Sequence, residues 1–383
     1  MIKTASRRSG VARVALIAAV AAPIVLIGAQ AAEASYVLQD TPAPPGFAGP
    51  HFTGVSCPTT TACQAVGNSS PPSTKGFAEG WDGTSWTVES TPDPSSYVLN
   101  AVSCTSPTAC TAVGGIKANG GLGDVAERWD GASWTIQTLP PSAGVLDGVS
   151  CTSATKCIAV GTAGTSGVPF SISWNGTTWT VRNVDVPPGT HAGFDSVSCT
   201  SGSACIAVGG YESSSGTFPL LAESWNGHRW TLQTAPPYPS GAENGTFSGV
   251  SCSSVSTCIA VGDYLTSSTR VALAEIWNGT SWTPQTTAPL GSSSVNDFYS
   301  VSCTHSGACV AGGDGDFSKT GQEKALAEHW NGTSWTEQTT VRPPGSPNSA
   351  FAGVSCATKS VCTSVGYYQK KHSGTPVLLA EQR

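Results

Sequence analysis

The strongest constraint on this chain is a repeat. Its 14 Cys fall into seven pairs with five residues between the members: Cys57/Cys63, Cys104/Cys110, Cys151/Cys157, Cys199/Cys205, Cys252/Cys258, Cys303/Cys309 and Cys356/Cys362. Successive pairs lie 47 to 53 residues apart. The first Cys always ends V-S-C, and the second usually opens C-x-A-V-G. All 12 Trp keep the same period, as six W-[DN]-G-x-x-W pairs: Trp81/Trp86, Trp129/Trp134, Trp174/Trp179, Trp225/Trp230, Trp277/Trp282 and Trp330/Trp335. A period of this size marks a supersecondary unit copied along the chain, each copy burying its apolar surface on the next.

Each copy reads as four short strands. In the fifth these are Phe247 to Cys252, Cys258 to Gly262, Ala272 to Trp277 and Ser281 to Thr287. Asn278-Gly279 predicts a tight primed turn with positive φ at both central residues. The first two strands are apolar on both faces, as befits inner strands held between neighbouring sheets, and the central Ala of the second permits close approach. Four antiparallel strands per 40–50 residues is the period of a β-propeller blade, and seven Cys pairs predict seven blades.

The chain ends favour a ring over a linear solenoid. The seventh repeat stops at "VLLAEQR", before any Trp pair, whereas residues 35–42, "SYVLQDTP", match a fourth-strand segment such as "SWTVESTP" (Ser85 to Pro92). The N-terminal segment is therefore expected to complete the last blade, with Tyr36 in the place of the second Trp. Closure of this kind removes the open sheet edges that a solenoid would have to cap. The expected fold is all-β: a seven-bladed propeller of four-stranded blades over residues 35–383, with repeats beginning near 52, 99, 146, 194, 247, 298 and 351.

Residues 1–34 read as a secretory signal peptide. A basic start with Lys3, Arg7, Arg8 and Arg13 precedes an apolar run of about 16 residues, too short to span a bilayer, and Ala-Glu-Ala stands before Ser35. Removal of this leader, which also holds Glu33, takes the net charge from −6 to −9. An acidic chain with scattered Lys and Arg lacks the basic footprint that nucleic acid requires. No membrane span is expected after cleavage, and the protein is expected to be secreted or held at the cell surface, as a monomer.

In an exported chain an even Cys count reads as disulfides. Each Cys pair spans the turn between strands one and two. By chain entropy each such small loop contributes roughly 2 kcal/mol. The Trp pairs read as packing between adjacent blades. A Glu recurs before the first Trp position as Glu79, Glu127, Glu223, Glu275, Glu328 and Glu381, with Ile172 in the third copy. An acid on an interior strand needs a partner, such as a backbone N–H of the next blade. Six copies point to a framework role, since a catalytic acid would differ from its repeat equivalents.

The repeat resembles a kelch unit. "CIAVGG" (Cys205 to Gly210) followed by "SWNGHRWTLQTAPP" (Ser224 to Pro237) has the apolar strand ending in a Gly doublet, then an aromatic, a turn, a Trp and a Pro. "WDGTSW" is similar to the Asp-box turn of sialidase-like propellers, which also lies between the third and fourth strands. Both resemblances imply a propeller and neither implies an activity.

The 1–2 and 3–4 turns of such a blade share one face, and here they are uniform. All length variation lies on the opposite face, in the 2–3 loops and the blade connections, where ligand recognition is expected. Candidate ligand-binding residues there are Tyr211, Tyr264, Phe317, Tyr367 and Tyr368, which could stack on a sugar or a peptide. Asp314 and Asp316, with Ser318 and Thr320, offer oxygens at alternate positions as in a calcium loop, but Ala325 stands where the twelfth-place Glu belongs. No cofactor motif and no catalytic residue is assigned, and the Arg residues sit mostly in strands three and four or their turns. The expectation is a binding or scaffold module for an extracellular glycan or protein. The alternatives are a polysaccharide-acting enzyme with acids such as Asp314 or Asp316, or a purely structural surface protein.

Overall fold

The computed structural model describes residues 35–383 except 72–73, 93–95, 119–120, 142–143, 165–166, 235, 240, 243, 268, 289–294, 317–321 and 372–373. Residues 1–34, expected to be the leader, and Phe317 lie outside the described residues. Seven four-stranded antiparallel sheets follow one another, each built from consecutive strands except the last. In that blade Val37–Gln39 pairs with Pro376–Gln382, in the register Val37↔Gln382, Leu38↔Glu381 and Gln39↔Ala380. The predicted closure is therefore the observed one. Tyr36 is buried, stacks on Phe351 at 5.9 Å and lies 3.5 Å from Ser364 Oγ. Ser364 replaces the small Ala found at this point in the second strand of every other blade.

The first strands, which line the axis, are His51–Thr59, Tyr97–Ser106, Gly144–Ser153, Gly189–Ser201, Asn244–Ser254, Asn296–His305 and Ser349–Thr358. Each apolar cluster is shared by two blades. Ile206, Val208, Leu220 and Ala222 of blade 4, for example, pack with Phe247, Val250, Ala260, Leu273 and Trp282 of blade 5. Burying each large apolar side chain contributes roughly 1.5–3 kcal/mol, so the blades stabilise one another.

All seven Cys pairs are disulfides, directly opposite across the first and second strands in blades 2 to 7. In blade 1 the Cys57–Cys63 bridge falls within a shift of register between Ser56 and Thr59. The second Cys of each pair lies on the inner, doubly covered strand, so Cys63, Cys110, Cys157, Cys205, Cys258, Cys309 and Cys362 are all buried. Several join the apolar cluster that their own blade shares with the blade before it: Cys110 packs with Leu99 and Trp134, and Cys309 with Phe298 and Trp335. Cys63 packs with Phe52 and Trp86, and Cys362 with Val310 and Val354.

The Ser of each V-S-C joins the disulfides to the ring. Its Oγ accepts the backbone N–H of the next blade's first Cys at 2.9–3.0 Å, from Ser56→Cys104 round to Ser355→Cys57. Three outer Trp residues add a second link. Trp86 Nε1 donates to Gln39 Oε1 at 2.8 Å, Trp134 to Glu89 at 2.7 Å and Trp282 to Gln233 at 2.7 Å. Gln39 thus ties the N-terminal strand to blade 1 as well as to blade 7.

The 3–4 turns differ from the tight primed turn expected. Trp277 and Trp282 close a four-residue loop, and only Gly279 has positive φ, at 93°. Asn278 Oδ1 accepts from the N–H groups of Thr280 and Ser281, both at 2.9 Å, and from Thr280 Oγ1 at 2.7 Å. The Asn side chain replaces the second left-handed residue by mimicking a turn of backbone.

The Gly of C-x-A-V-G faces the strand before it. A Cβ on Gly262 would stand 2.0 Å from the Thr246 carbonyl oxygen, a backbone atom that cannot move aside. Gly262→Ala should cost about 3 kcal/mol. Gly202→Ala, which meets only the flexible end of Lys156, should cost far less; urea unfolding of the two variants compares them.

The recurring Glu residues are fully buried. Glu328 accepts from Ala288 N–H at 2.8 Å, Glu381 from Val341 N–H at 2.9 Å and Glu223 from Asp185 N–H at 3.3 Å, each on the connection leaving the neighbouring blade. Burial pushes Glu79, Glu127, Glu223 and Glu275 up to about 8, and Glu328 and Glu381 to about 7. A raised carboxyl holds its proton more tightly folded than unfolded. Its stabilisation is complete below the ordinary Glu range and is lost as pH rises through 7–8. The melting temperature should therefore fall from pH 5 to pH 8.5, on the order of 5 °C, and Glu275→Gln should flatten that slope; calorimetry across the range checks both.

Candidate ligand-binding site

The first strands of blades 4 and 5 are the longest of the inner strands, at 13 and 11 residues. Their extra length runs toward the variable face, where they and the adjoining strands of blade 5 border a cleft of about 410 Å³. Its lining is mixed: Tyr211, Phe218 and Leu265, the last two 49 % and 39 % exposed, stand among Asp195, Asn244, Thr246, Asp263 and Arg270.

Local bonds fix this lip. Phe218 N–H donates to Asn244 Oδ1 at 2.8 Å, and the Phe218 carbonyl accepts from Gly245 N–H at 3.2 Å and from the Tyr238 hydroxyl. Thr246 Oγ1 donates to Asp195 Oδ2 at 3.4 Å. His191 lines the cleft with φ of 51°, one of two described non-Gly residues in the left-handed region, and its Nδ1 lies 3.1 Å from Glu212 Oε2. Sparsely populated backbone of this kind concentrates at functional sites.

Asp195 also borders the axial channel, about 200 Å³. Seven equivalent residues line that channel: Thr53, Asn100, Asp147, Asp195, Ser248, Tyr299 and Ala352. Each is the extra residue of a β-bulge in its first strand, as between Phe194 and Ser196. A bulge re-aims the side chain it carries. Neighbouring strands nearly touch here, for a Cβ on Gly148 would stand 3.0 Å from Ser196 Cα. Successive side chains therefore interact. Asn100 Nδ2 donates to Asp147 Oδ1 at 3.0 Å, and Thr53 Oγ1 to the Leu99 carbonyl at 2.7 Å.

Burial, then the charge of Asp195, pushes Asp147 up to about 7. Asp195 reaches solvent only within a concave wall of protein, and that desolvation pushes it up to about 6. Burial and the Asp297 charge raise Asp263 to about 6, against the pull of Arg270. Arg270 bridges two blades: Nε lies 3.4 Å from Asp263 Oδ2 and Nη1 3.2 Å from Asp297 Oδ2. Arg270 lies in the third strand of blade 5 as expected, but at its first residue, on the variable face and not away from it.

Of the sequence candidates, Tyr211 lines the cleft. Tyr264 and Tyr368 are half-buried against the blade-5 cluster and the Tyr36–Phe351 cluster, and Tyr367 is half-buried with its hydroxyl raised by burial and by the Asp314 charge. Asp314 and Asp316 are buried on one strand, and Asp314 accepts the Tyr299 hydroxyl at 2.9 Å. Ser318 and Thr320 lie outside the described residues. Among the described residues no group of three or more His, Cys, Asp or Glu is arranged to hold a metal ion.

The cysteines belong to the frame and not to the site. Cys63, Cys110, Cys309 and Cys362 are 1–3 % exposed and border neither the cleft nor the channel. With every sulfur paired and no free Cys, these residues act on the ligand surface only by holding the inner strands. Sequence reasoning missed the bulge residues, Asp195 among them, as well as His191 and Phe218. The bulge has a signal, for in F-x-G-V-S-C the x changes in every copy except for the paired Asp while its neighbours hardly vary; His191 and Phe218 lie outside that motif.

No family model matches the chain, and no curated protein does. The kelch and Asp-box likenesses thus remain features of the repeat. Solved structures do match. A PL25 ulvan lyase bound to -[GlcA(1-4)Rha3S]- aligns with TM-score 0.59 and 9 % identity over 87 % of this chain and 94 % of that one. YCF48 bound to a D1 peptide aligns with TM-score 0.56 and 13 % identity over 91 % and 94 %. The β-propeller domain of the Trilobed protease from Pyrococcus furiosus gives 0.53 and 6 % over 87 % and 97 %. At these identities the likeness is one of fold.

Arg270→Ala leaves Asp263 and Asp297 facing each other without a cation. Half the Arg side chain is exposed, so the loss should be about 1 kcal/mol at pH 8. It should shrink at pH 5, where the two carboxyls take up protons; unfolding at both pH values measures it.

Proposed function

We propose that this protein is an exported binding module for an extracellular glycan, with residues 1–34 as its removable leader. The observation that carries the reading is the cleft between blades 4 and 5. Its lining combines exposed aromatic and apolar side chains with hydroxyl, amide and carboxylate groups, the mixture that saccharides require: a stacking surface for the ring and hydrogen-bond partners for the hydroxyls. The seven disulfides fit an oxidising compartment outside the cytoplasm, and no described helix is long and apolar enough to cross a membrane. Propellers of this shape accommodate either ligand class, since one structural neighbour is bound to a saccharide and another to a peptide; the cleft's mixed lining favours the saccharide.

A second reading is an enzyme on polysaccharide. Asp147 and Asp195 stand on adjacent blades in one channel, both raised by burial and Asp147 also by the Asp195 charge, so that the two carboxyls can share a proton as an acid and a base would. On this reading Asp147→Asn and Asp195→Asn would each abolish release of sugar fragments from a bound polysaccharide.

Tyr264, Tyr367 and Tyr368 share the variable face and extend the surface on which a longer chain would lie. Binding of the oxidised protein to an array of extracellular and cell-wall glycans tests the reading. A hit should weaken about tenfold or more in Phe218→Ala and in Tyr211→Ala, each of which removes roughly 1–3 kcal/mol of contact. An array with no hit overturns it.

A further inference from the structure

The cleft holds more anionic groups than it answers. Arg270 serves two carboxylates, Asp263 and Asp297. His191 is engaged by Glu212. Asp195 receives Thr246 Oγ1 at 3.4 Å, and its neighbour Asp147 receives the Asn100 amide at 3.0 Å; neither makes an ion pair among the described residues. Tyr211 and the half-exposed ring of Phe218 line the same cleft as Asp195.

We propose that this cleft selects glycans that carry free amines, with the ammonium of a hexosamine against Asp195 and the sugar ring on Tyr211 and Phe218. The inference rests on the glycan reading above and names the ligand class. An ammonium in this concave site meets a carboxylate that has no cation of its own, where the pair interacts more strongly than in bulk water. An aromatic face adds cation–π attraction. An acetylated amine would offer Asp195 an uncharged amide instead, and a uronic acid would bring a second anion to it.

The charge also sets the pH dependence. The titratable groups that line the cleft are Asp195, Asp263, His191, Arg270 and Tyr211; Asp147 adjoins Asp195 in the channel, and Asp297 and Glu212 pair with Arg270 and His191. An ammonium favours the ionised form of Asp195 and Asp147, so binding releases protons wherever these carboxyls are partly protonated in the free protein. Affinity should climb as pH rises from 5 to 7, until the amine itself loses its proton.

Calorimetry with the oxidised protein and four probes decides the matter: the hexamer of β-1,4-linked glucosamine, its fully N-acetylated counterpart, cellohexaose and trilysine. The glucosamine hexamer should bind about tenfold or more tightly than the other two sugars, and with proton release that differs between buffers of different ionisation heat. Asp195→Asn should erase that preference, and Asp147→Asn should reduce it, while circular dichroism stays unchanged. Equal binding of the three sugars, or an Asp195→Asn protein that keeps the preference, overturns amine selection and leaves the cleft as a glycan site. Trilysine binding as well as the hexamer overturns it in favour of a site that reads charge alone. If no probe binds, the inference falls, and the glycan array independently decides the broader reading.

Discussion

The closed belt of Ser–Cys hydrogen bonds is the constraint on which the ring depends. Seven Ser Oγ atoms each accept the backbone N–H of the next blade's first Cys, and the seventh bond returns to Cys57. A linear stack would leave one donor and one acceptor unpaired at its ends. The belt lies beside the disulfides, so the inner strands are held twice, along each blade and between blades. Everything farther out is positioned from this hub. The shared apolar clusters fill the space between blades, Trp links close the outer rim of three seams, and Glu223, Glu328 and Glu381 hold connections from the neighbouring blade.

Rigidity at the hub permits irregularity at the bulge two residues before the recurring Val. Seven copies of one backbone distortion point seven side chains into one channel, yet only the distortion is repeated. The side chains differ because the channel they border, unlike the packed seams, accepts many shapes and polarities, even where one of them also bonds the next blade, as Thr53 does the Leu99 carbonyl. Uniform scaffold and variable lining meet at Asp195, which belongs to both the channel and the cleft. The acids there are unlike the six buried Glu residues, which recur in every blade but the third and serve the frame.

Much of the fold was legible because its determinants repeat. Cys and Trp spacing disclosed the blade, its copy number and its strand order. The match of Tyr36 to the Trp86 position disclosed how the ring closes, since a missing strand at one end and a surplus strand at the other have one economical solution. The turn type was less legible. Asn278 and Asp82 stand in the same place in their loops, and sequence alone does not say that a side-chain oxygen takes over the role of a left-handed residue. The candidate site was least legible. Tyr211 was found as an aromatic on a variable loop, but Phe218, Asp263 and Arg270 come from separate strands and loops and belong to no motif, and Asp195 stands at the one position of its motif that varies freely.

By itself the sequence determined a seven-bladed ring, its disulfide staples, its manner of closure and the face on which variation is allowed, because each rests on a pattern that recurs in register along the chain. Only the tertiary structure decided which variable residues meet. Distances across a seam between blades depend on how far two strands extend and where each bulges. That is how blades 4 and 5, by running their first strands past the others, come to hold the cleft.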